Sequence, residues 1–441
     1  MGILIADIPS HSFEEISYTL NCLLGEFLGL EFEVFKKEIT DTVIRSDKGA
    51  LTINNHFFKE GVEPINFDLS FLPSKVSDDF LDFNGNQFPL LTLYGNRKID
   101  KKGEEIILDS DIIASTFFML SRWEEFVNPE RDAHNRFPAK SSIAFKLGFL
   151  DRPVVNEYVE LLWSLLETIG CSQERKIRKY KLVPTHDVDR PFLFTSWTQN
   201  IRLFGGFIKR LHLTELVDFC KYAISGIDPW DTHDLFMDLS EKANVKSYFF
   251  FLPKGKNRHD GRYDLNDPKV KLLYKKIRER GHHIGYHPSY NAYNDIDLFR
   301  KEKKELENAI DSKVEFGRQH YLRFAAPVTW QIWDKCEMNW DSTMSYADCS
   351  GFRCGVCYPF PVFDIEKRKQ LNLLERPLVV MEGSLIGYEK LSLEDAKIKV
   401  DRLKDQVKKY NGEFIFLYHN SSFFEGKYRT VGIKLLHALY N

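Results

Sequence analysis

From Lys181 to Asn441, short apolar runs alternate with amphipathic helical stretches. No other feature constrains the fold as strongly, because a strand–helix–strand repeat buries its strands only as a parallel sheet covered by helices. The spacing predicts strands over Lys181–Thr185, Ser247–Leu252, His283–Tyr286, Phe316–Leu322, Leu378–Met381 and Phe414–Tyr418, with a further short strand at Met338–Asp341. Helices fall between them, over Asp234–Ala243, Pro268–Arg280, Asp297–Ile310 and Leu393–Lys409. One boundary is explicit: Asp267 is an N-cap residue, Pro268 suits the first helical position, and Gly281 stops the same helix. About seven βα units in roughly 260 residues predict an α/β fold, a distorted and incompletely closed (β/α)7 barrel. Chemistry in such a barrel sits at the C-terminal ends of the strands.

The chain changes character near residue 175. Residues 1–175 read as a small α+β domain and 176–441 as the barrel, in keeping with the two or three domains expected of 441 residues. The first part opens with an amphipathic helix, Phe13–Leu28. It continues with β-like runs at Thr42–Arg45 and Ala50–Ile53, a turn-rich stretch at Asp82–Asn86, and helices at Asp111–Phe126 and Val154–Leu166. The polar segment Cys171–Lys181 is a linker candidate.

Bulk properties narrow the functional classes. A formal net charge of -3 gives no electrostatic case for a nucleic-acid partner, and the basic run Lys275–Arg280 reads as a solvated helix face. No stretch is apolar and long enough to span a membrane. Residues Met1–Pro9 lack a basic segment and a long apolar run, so no signal peptide is expected. Seven scattered Cys suit a reducing cytoplasm, and Cys349, Cys354 and Cys357 lack a fourth zinc ligand nearby.

Reactive side chains fall at the predicted strand ends. The first strand runs into Thr185-His186-Asp187-Val188-Asp189, and alternation sends Asp187 and Asp189 to one face. Two carboxylates side by side repel and resist desolvation, so a divalent metal is the natural occupant between them. A pair of Asp residues capping a turn is the competing reading of this segment alone. The third strand continues into His287, Tyr290 and Asn291; the fourth carries Arg318, His320 and Arg323; the fifth ends in Asp341, and the last in His419 and Asn420. One such His is ordinarily structural, but five strand ends with Asp, His or Arg form a set. Asp with imidazoles is a hydrolytic zinc set.

Thr185-His186-Asp187-Val188-Asp189, Gly281-His282-His283-Ile284-Gly285-Tyr286-His287 and Leu417-Tyr418-His419 resemble, in order and spacing, the successive motifs of the polysaccharide deacetylases, carbohydrate esterase family 4. The region Phe118–Phe126 resembles the uncharacterised N-terminal part of a bacterial subgroup of that family. The resemblance implies a deacetylase-type barrel and metal-dependent N-deacetylation of an N-acylated sugar. It implies Asp187 as general base, Asp189 and His287 as metal ligands, and His419 as the acid that protonates the leaving amine. Arg323 would hold Asp187 ionised, and Asp341 would orient His419.

One position departs from the pattern. The family has a second His four residues after the first, and here that residue is Asn291, a poor zinc ligand. His320 on the next strand is one replacement, and Asn291 acting through its carbonyl with a harder metal is another. His283 shares a strand face with His287 but sits about 13 Å away at roughly 3.3 Å per residue. The remaining reading is a decayed site. Two functional classes follow: a zinc-dependent amide hydrolase acting on a carbohydrate or a small N-acylated substrate, and a non-catalytic saccharide-binding or scaffolding relative. A deformylase or deacetylase of a nucleotide-linked sugar in the cytoplasm is a third reading. Tyr286, Tyr290, Tyr293, Tyr321, Trp330 and Trp340 lie near the predicted mouth, and Tyr290 is the one expected to face substrate.

Overall fold

The computed structural model of the chain describes residues 2–441 apart from 61, 195–204, 206–212, 256, 262 and 424–425. Among the described residues the front part holds eight strands: β1 (Leu4–Pro9), β2 (Phe32–Lys37), β3 (Thr42–Arg45), β4 (Ala50–Ile53), β5 (Ser77–Phe83), β6 (Asn86–Thr92), β7 (Gly95–Lys102) and β8 (Glu105–Ser110). Six of them form a mixed sheet in the order β2-β1-β3-β4-β8-β7, and β5 and β6 form a separate hairpin. The hairpin turn uses Asn84 and Gly85, both at positive φ (51° and 78°), as a tight two-residue turn requires. The expected first helix is α-helical over Phe13–Leu20 and widens to a π-helix over Asn21–Leu28, which Gly29 ends at φ 72°. The predicted helix Asp111–Phe126 is two helices, Ile112–Leu120 and Trp123–Val127, because Arg122 between them is left-handed (φ 55°).

The rear part contributes β9 (Lys181–Val188), β10 (Tyr248–Phe251), β11 (His283–Tyr286), β12 (Phe316–Gly317), β13 (Trp340–Asp341), β14 (Phe360–Asp364), β15 (Lys369–Glu375), β16 (Val380–Met381) and β17 (Glu413–Leu417). They form one sheet in the order β14-β15-β13-β12-β11-β10-β9-β17-β16, parallel throughout except for the β14–β15 pair. Helices at His233–Lys242, Pro268–Glu279, Ile296–Ile310 and Leu393–Lys409 accompany it. Asp267, Asp295 and Ser392 cap the last three through side-chain oxygens. The ladder has two ends: among the described residues no pairing joins β14 or β15 to β16, so the predicted barrel is an open, mostly parallel sheet.

The predicted strand Phe316–Leu322 stops at Gly317. A short turn of helix, His320–Leu322, replaces its second half, with Tyr321 (φ 61°) and Leu322 (φ 52°) both in the left-handed region. Non-glycine residues held there cost about 1–2 kcal/mol each, so neighbouring contacts must hold them.

The front and rear parts share one hydrophobic core, running from Leu4 and Ile8 through Trp123 and Tyr158 to Phe363, Phe414 and Leu436. Phe352 N–H donates to the Leu150 carbonyl at 2.7 Å and Val155 N–H to the Gly355 carbonyl at 2.8 Å. Buried Glu125 accepts from Arg122 Nε at 2.9 Å and from Arg353 Nε and Nη2 at 2.8 and 2.5 Å. Of the basic helix run, Lys276 and Arg280 pair with Asp234, Asp238 and Glu241 on the neighbouring helix. No helix among the described residues is long and apolar enough to cross a membrane.

Candidate active site

Strand register brings the motifs to one end of the sheet. Asp187 is the penultimate residue of β9 and Asp189 lies just past its end. Phe251 of β10 pairs with Val188 on one side and Tyr286 on the other, so His287, next after β11, stands level with Asp189. Tyr286 pairs with Gly317, which sets Arg318 level with His287. Leu417 pairs with Thr185, which sets His419 level with Asp187.

Three of these side chains converge. Ligand atoms of Asp189, His287 and His320 lie within 4.8 Å of one another. Asp189 Oδ1 is 3.3 Å from His287 Nε2 and 3.4 Å from His320 Nε2. Two corners of a tetrahedral zinc shell are about 3.3–3.6 Å apart when each donor is about 2.0–2.2 Å from the ion. The hydrogen bonds behind the ligand atoms suit a cation. His287 Nδ1 donates to the Arg318 carbonyl at 2.5 Å and His320 Nδ1 to the Asp260 carboxylate at 3.2 Å. Both Nε2 lone pairs are thereby aimed at the centre. Asp189 Oδ1 is buried there without a hydrogen-bond partner, an orphan that a divalent ion would satisfy.

The electrostatics agree with this geometry. Burial would raise the Asp189 carboxyl, but His320, His287 and His419 hold it well below the usual carboxylate range. Burial opposes the charge on His320 too, yet Asp189 and Asp260 lift it to about 9. His186, inside the first motif, is different: burial depresses it to about 3, and it bonds the Tyr418 carbonyl at 3.0 Å while stacking on Phe236. It is a neutral packing residue.

Asp187 adjoins the cluster, its Oδ2 3.6 Å from His287 Nε2. Its other oxygen accepts from Arg318 Nη1 at 2.8 Å. Arg318 is fully buried and also donates to Thr185 Oγ1, the Ser342 carbonyl and Ser342 Oγ. The counter-ion of Asp187 is therefore Arg318 and not Arg323, which lies elsewhere. Arg323 donates to the His134 and Tyr290 carbonyls, and its guanidinium stacks 3.9 Å from the ring centroids of Tyr290 and Tyr293.

His419 has a partner that the sequence reading missed. Its Nδ1 is 2.6 Å from Glu382 Oε1, which also accepts from the His419 N–H and Ser422 Oγ. Burial lowers the imidazole pKa, but Glu382, then Asp189 and Asp187, raise it to about 10. The expected orienter, Asp341, instead accepts from Thr343 Oγ1 at 2.5 Å and faces Glu375 across the β13–β15 register. Burial raises both of those carboxyls. Glu382 follows β16 directly, so the strand-end rule would have found it. Asp260 lies in an irregular loop and has no sequence signal.

Two further expectations are corrected. Asn291 is exposed and its Oδ1 receives the Asn257 amide at 3.5 Å, and it is not among the three residues whose ligand atoms converge, which include His320. Tyr290 is only 9% exposed, its hydroxyl against His134 Nδ1 (3.0 Å) and its ring between His259 and Arg323, so it does not stand free for substrate. Cys349, Cys354 and Cys357 are free thiols, and Asp189, His287 and His320 are the one His/Cys/Asp/Glu group among the described residues arranged to hold a metal.

Residues 4–170 match a family described as one of unknown function (DUF7033). No curated protein matches the chain. Among solved structures, the chain is similar to a Mycobacterium smegmatis protein provisionally assigned as a polysaccharide deacetylase. The two share 12% identity at TM-score 0.38, over 60% of this chain and 84% of that one. It is also similar to a carbohydrate esterase family 4 pseudoenzyme from Bacillus anthracis (16%, TM-score 0.29, 59% and 61% covered). A third is the Bdellovibrio bacteriovorus peptidoglycan deacetylase (12%, TM-score 0.27, 69% and 74% covered). Likenesses this remote carry no weight for the chemistry, which rests on the site itself.

Proposed function

We propose that this chain is a metal-dependent hydrolase that removes an acyl group from the nitrogen of an N-acylated sugar. One observation carries the reading: two imidazole nitrogens and an orphaned carboxylate oxygen face a common centre, with a second carboxylate 3.6 Å from one of them. Asp189, His287 and His320 would hold the ion, zinc by the donor types. Bound there, a divalent ion supplies Lewis acidity toward a carbonyl oxygen and a water molecule.

The chain's own residues supply the proton chemistry. Asp187, paired with Arg318, takes the proton of the attacking water. His419, kept as an imidazolium by Glu382, gives a proton to the departing amine. The sugar as substrate class comes from the motif resemblance. A saccharide binder without catalysis needs neither charged pair, and one buried and one partly buried pair flanking one centre favour hydrolysis.

The test is acetate release from N-acetylated chito-oligosaccharides by zinc-loaded protein, with metal content measured in parallel. Loss of bound zinc and of acetate release in Asp189→Ala and His320→Ala is the expected result. Full zinc occupancy in both variants, or no acetate release by the loaded wild type, would overturn the reading.

A further inference from the structure

A loop of the front region reaches the segments beside the proposed active site. Residues 128–138 follow the helix Trp123–Val127, and Asp132 folds them into a tight turn. Its carboxylate accepts from the His134 and Arg136 N–H groups and from Arg136 Nε, at 2.8–2.9 Å. The turn then docks on the segments that follow the metal-ligand candidates. Arg323 Nε donates to the His134 carbonyl at 2.8 Å, and Asn135 Nδ2 donates to Tyr293 Oη at 2.8 Å. Buried Arg136 donates to the carbonyl of Tyr321, the strained residue directly after His320, and to Tyr388 Oη.

The docked loop completes a cluster of rings. His134 lies 4.9 Å from Tyr321 and 5.2 Å from His259 between ring centroids, and its Nδ1 meets Tyr290 Oη at 3.0 Å. His259 meets Tyr321 Oη at 3.2 Å. Unlike Tyr290, the rings of His134, His259 and Tyr321 keep part of their surface in solvent, and Tyr388 beyond Arg136 is 48% exposed. Partly exposed rings held together by these hydrogen bonds, with Tyr321 directly after a metal-ligand candidate, suit the flat apolar face of a pyranose.

Resting on the hydrolase reading, we infer that this loop forms one wall of the substrate groove and that His134, with Tyr321 and Tyr388, binds the sugar next to the one that is deacylated. The front region is then part of the active site and makes the enzyme select oligosaccharides over single sugars.

The test compares kcat/KM for a β-1,4-linked tetramer of N-acetylglucosamine with that for the single sugar in zinc-loaded full-length protein. Variants are His134→Ala, His134→Phe and Tyr388→Ala; Tyr388 is exposed enough for truncation to leave folding intact. The tetramer-to-monomer ratio should fall by roughly three- to tenfold in each Ala variant, the worth of one ring contact, with partial recovery in His134→Phe. An unchanged ratio in both Ala variants overturns the inference and leaves the hydrolase reading standing. Tetramer binding is also followed by calorimetry in Asp187→Asn protein with and without His134→Ala. Binding that depends on His134 in a wild type that releases no acetate would keep the wall and refute the hydrolase. Tetramer binding that ignores His134 would refute the wall.

Discussion

Nδ1 of His320 lies 3.2 Å from Oδ1 of Asp260, a residue sixty positions earlier in the chain. The same carboxylate accepts the N–H groups of Tyr290 at 2.8 Å and Asn257 at 3.0 Å. This one loop residue fixes the tautomer of a ligand candidate and the backbone beside it. A carboxylate behind a ligating imidazole raises its basicity, and removing one weakens metal binding by about 10–100-fold. Asp260→Asn keeps an acceptor but loses the charge, so zinc affinity by chelator competition should fall toward the lower end of that range. Affinity equal to wild type would show that Asp260 does not support the site.

The contrast between Asp260 and Asp187 explains what the sequence could and could not say. Asp187, Asp189, His287 and His419 lie at or within two residues of the ends of strands, so the alternation of strand and helix locates them. Glu382 obeys the same rule after β16, and no local signal ranks it above Asp341 as the partner of His419. Arg318 was visible, yet pairing it with Asp187 needs the parallel register of β11 and β12, which local sequence does not specify. His320 is harder still. Its segment reads as a continuous strand to Leu322, whereas the strand ends at Gly317 and a turn with left-handed Tyr321 and Leu322 follows, a break that local periodicity does not mark. Barrel closure was beyond reach for a related reason: strand number is legible, but whether the two edges pair is a long-range matter.

Arg318 and Asp187 form a pair with Arg318 fully buried and Asp187 nearly so, and the two ends of the pair should fail differently. Asp187→Asn retains an oxygen for Arg318 and leaves the ligand atoms of Asp189, His287 and His320 in place. Turnover should drop by about 10²–10⁴-fold, the usual contribution of a general base, with zinc content unchanged. Arg318→Met strands Asp187 without its counter-ion and removes four hydrogen bonds. That variant should lose about 3–5 kcal/mol of stability in denaturant unfolding. Wild-type turnover in Asp187→Asn would remove the base assignment.

The His419–Glu382 pair sets a pH dependence with a definite sign. Its imidazole ionises near 10 instead of the ordinary 6.5. Stability from this pair is fully present below about pH 6.5 and is lost as pH rises through about 10. As an acid, His419 must be protonated, so activity falls on the alkaline side. A cation at Asp189 offsets part of the negative field, which places that limb below the value of the metal-free protein. Glu382→Gln should move the alkaline limb of kcat/KM toward neutral pH and leave the acid limb in place. A limb that stays fixed would mean that another group is the acid.

Glu125 joins the two halves of the chain, and its removal should be felt by both. Its carboxylate lies between Arg122 of its own segment and Arg353 of the rear part, all three at most 2% exposed. Burial would raise its pKa, but Arg353 and Arg122 hold it near 2. The stability it provides is present above the ordinary 4.5 and is lost as pH falls through about 2. Glu125→Gln leaves two buried guanidiniums short of a counter-charge, a loss of about 3–5 kcal/mol. Because one hydrophobic core spans both parts, the whole chain should unfold in one transition whose midpoint drops. Two separated transitions in the wild type, with only one of them moved by Glu125→Gln, would show that the halves fold as independent units and that the buried cluster is a local contact.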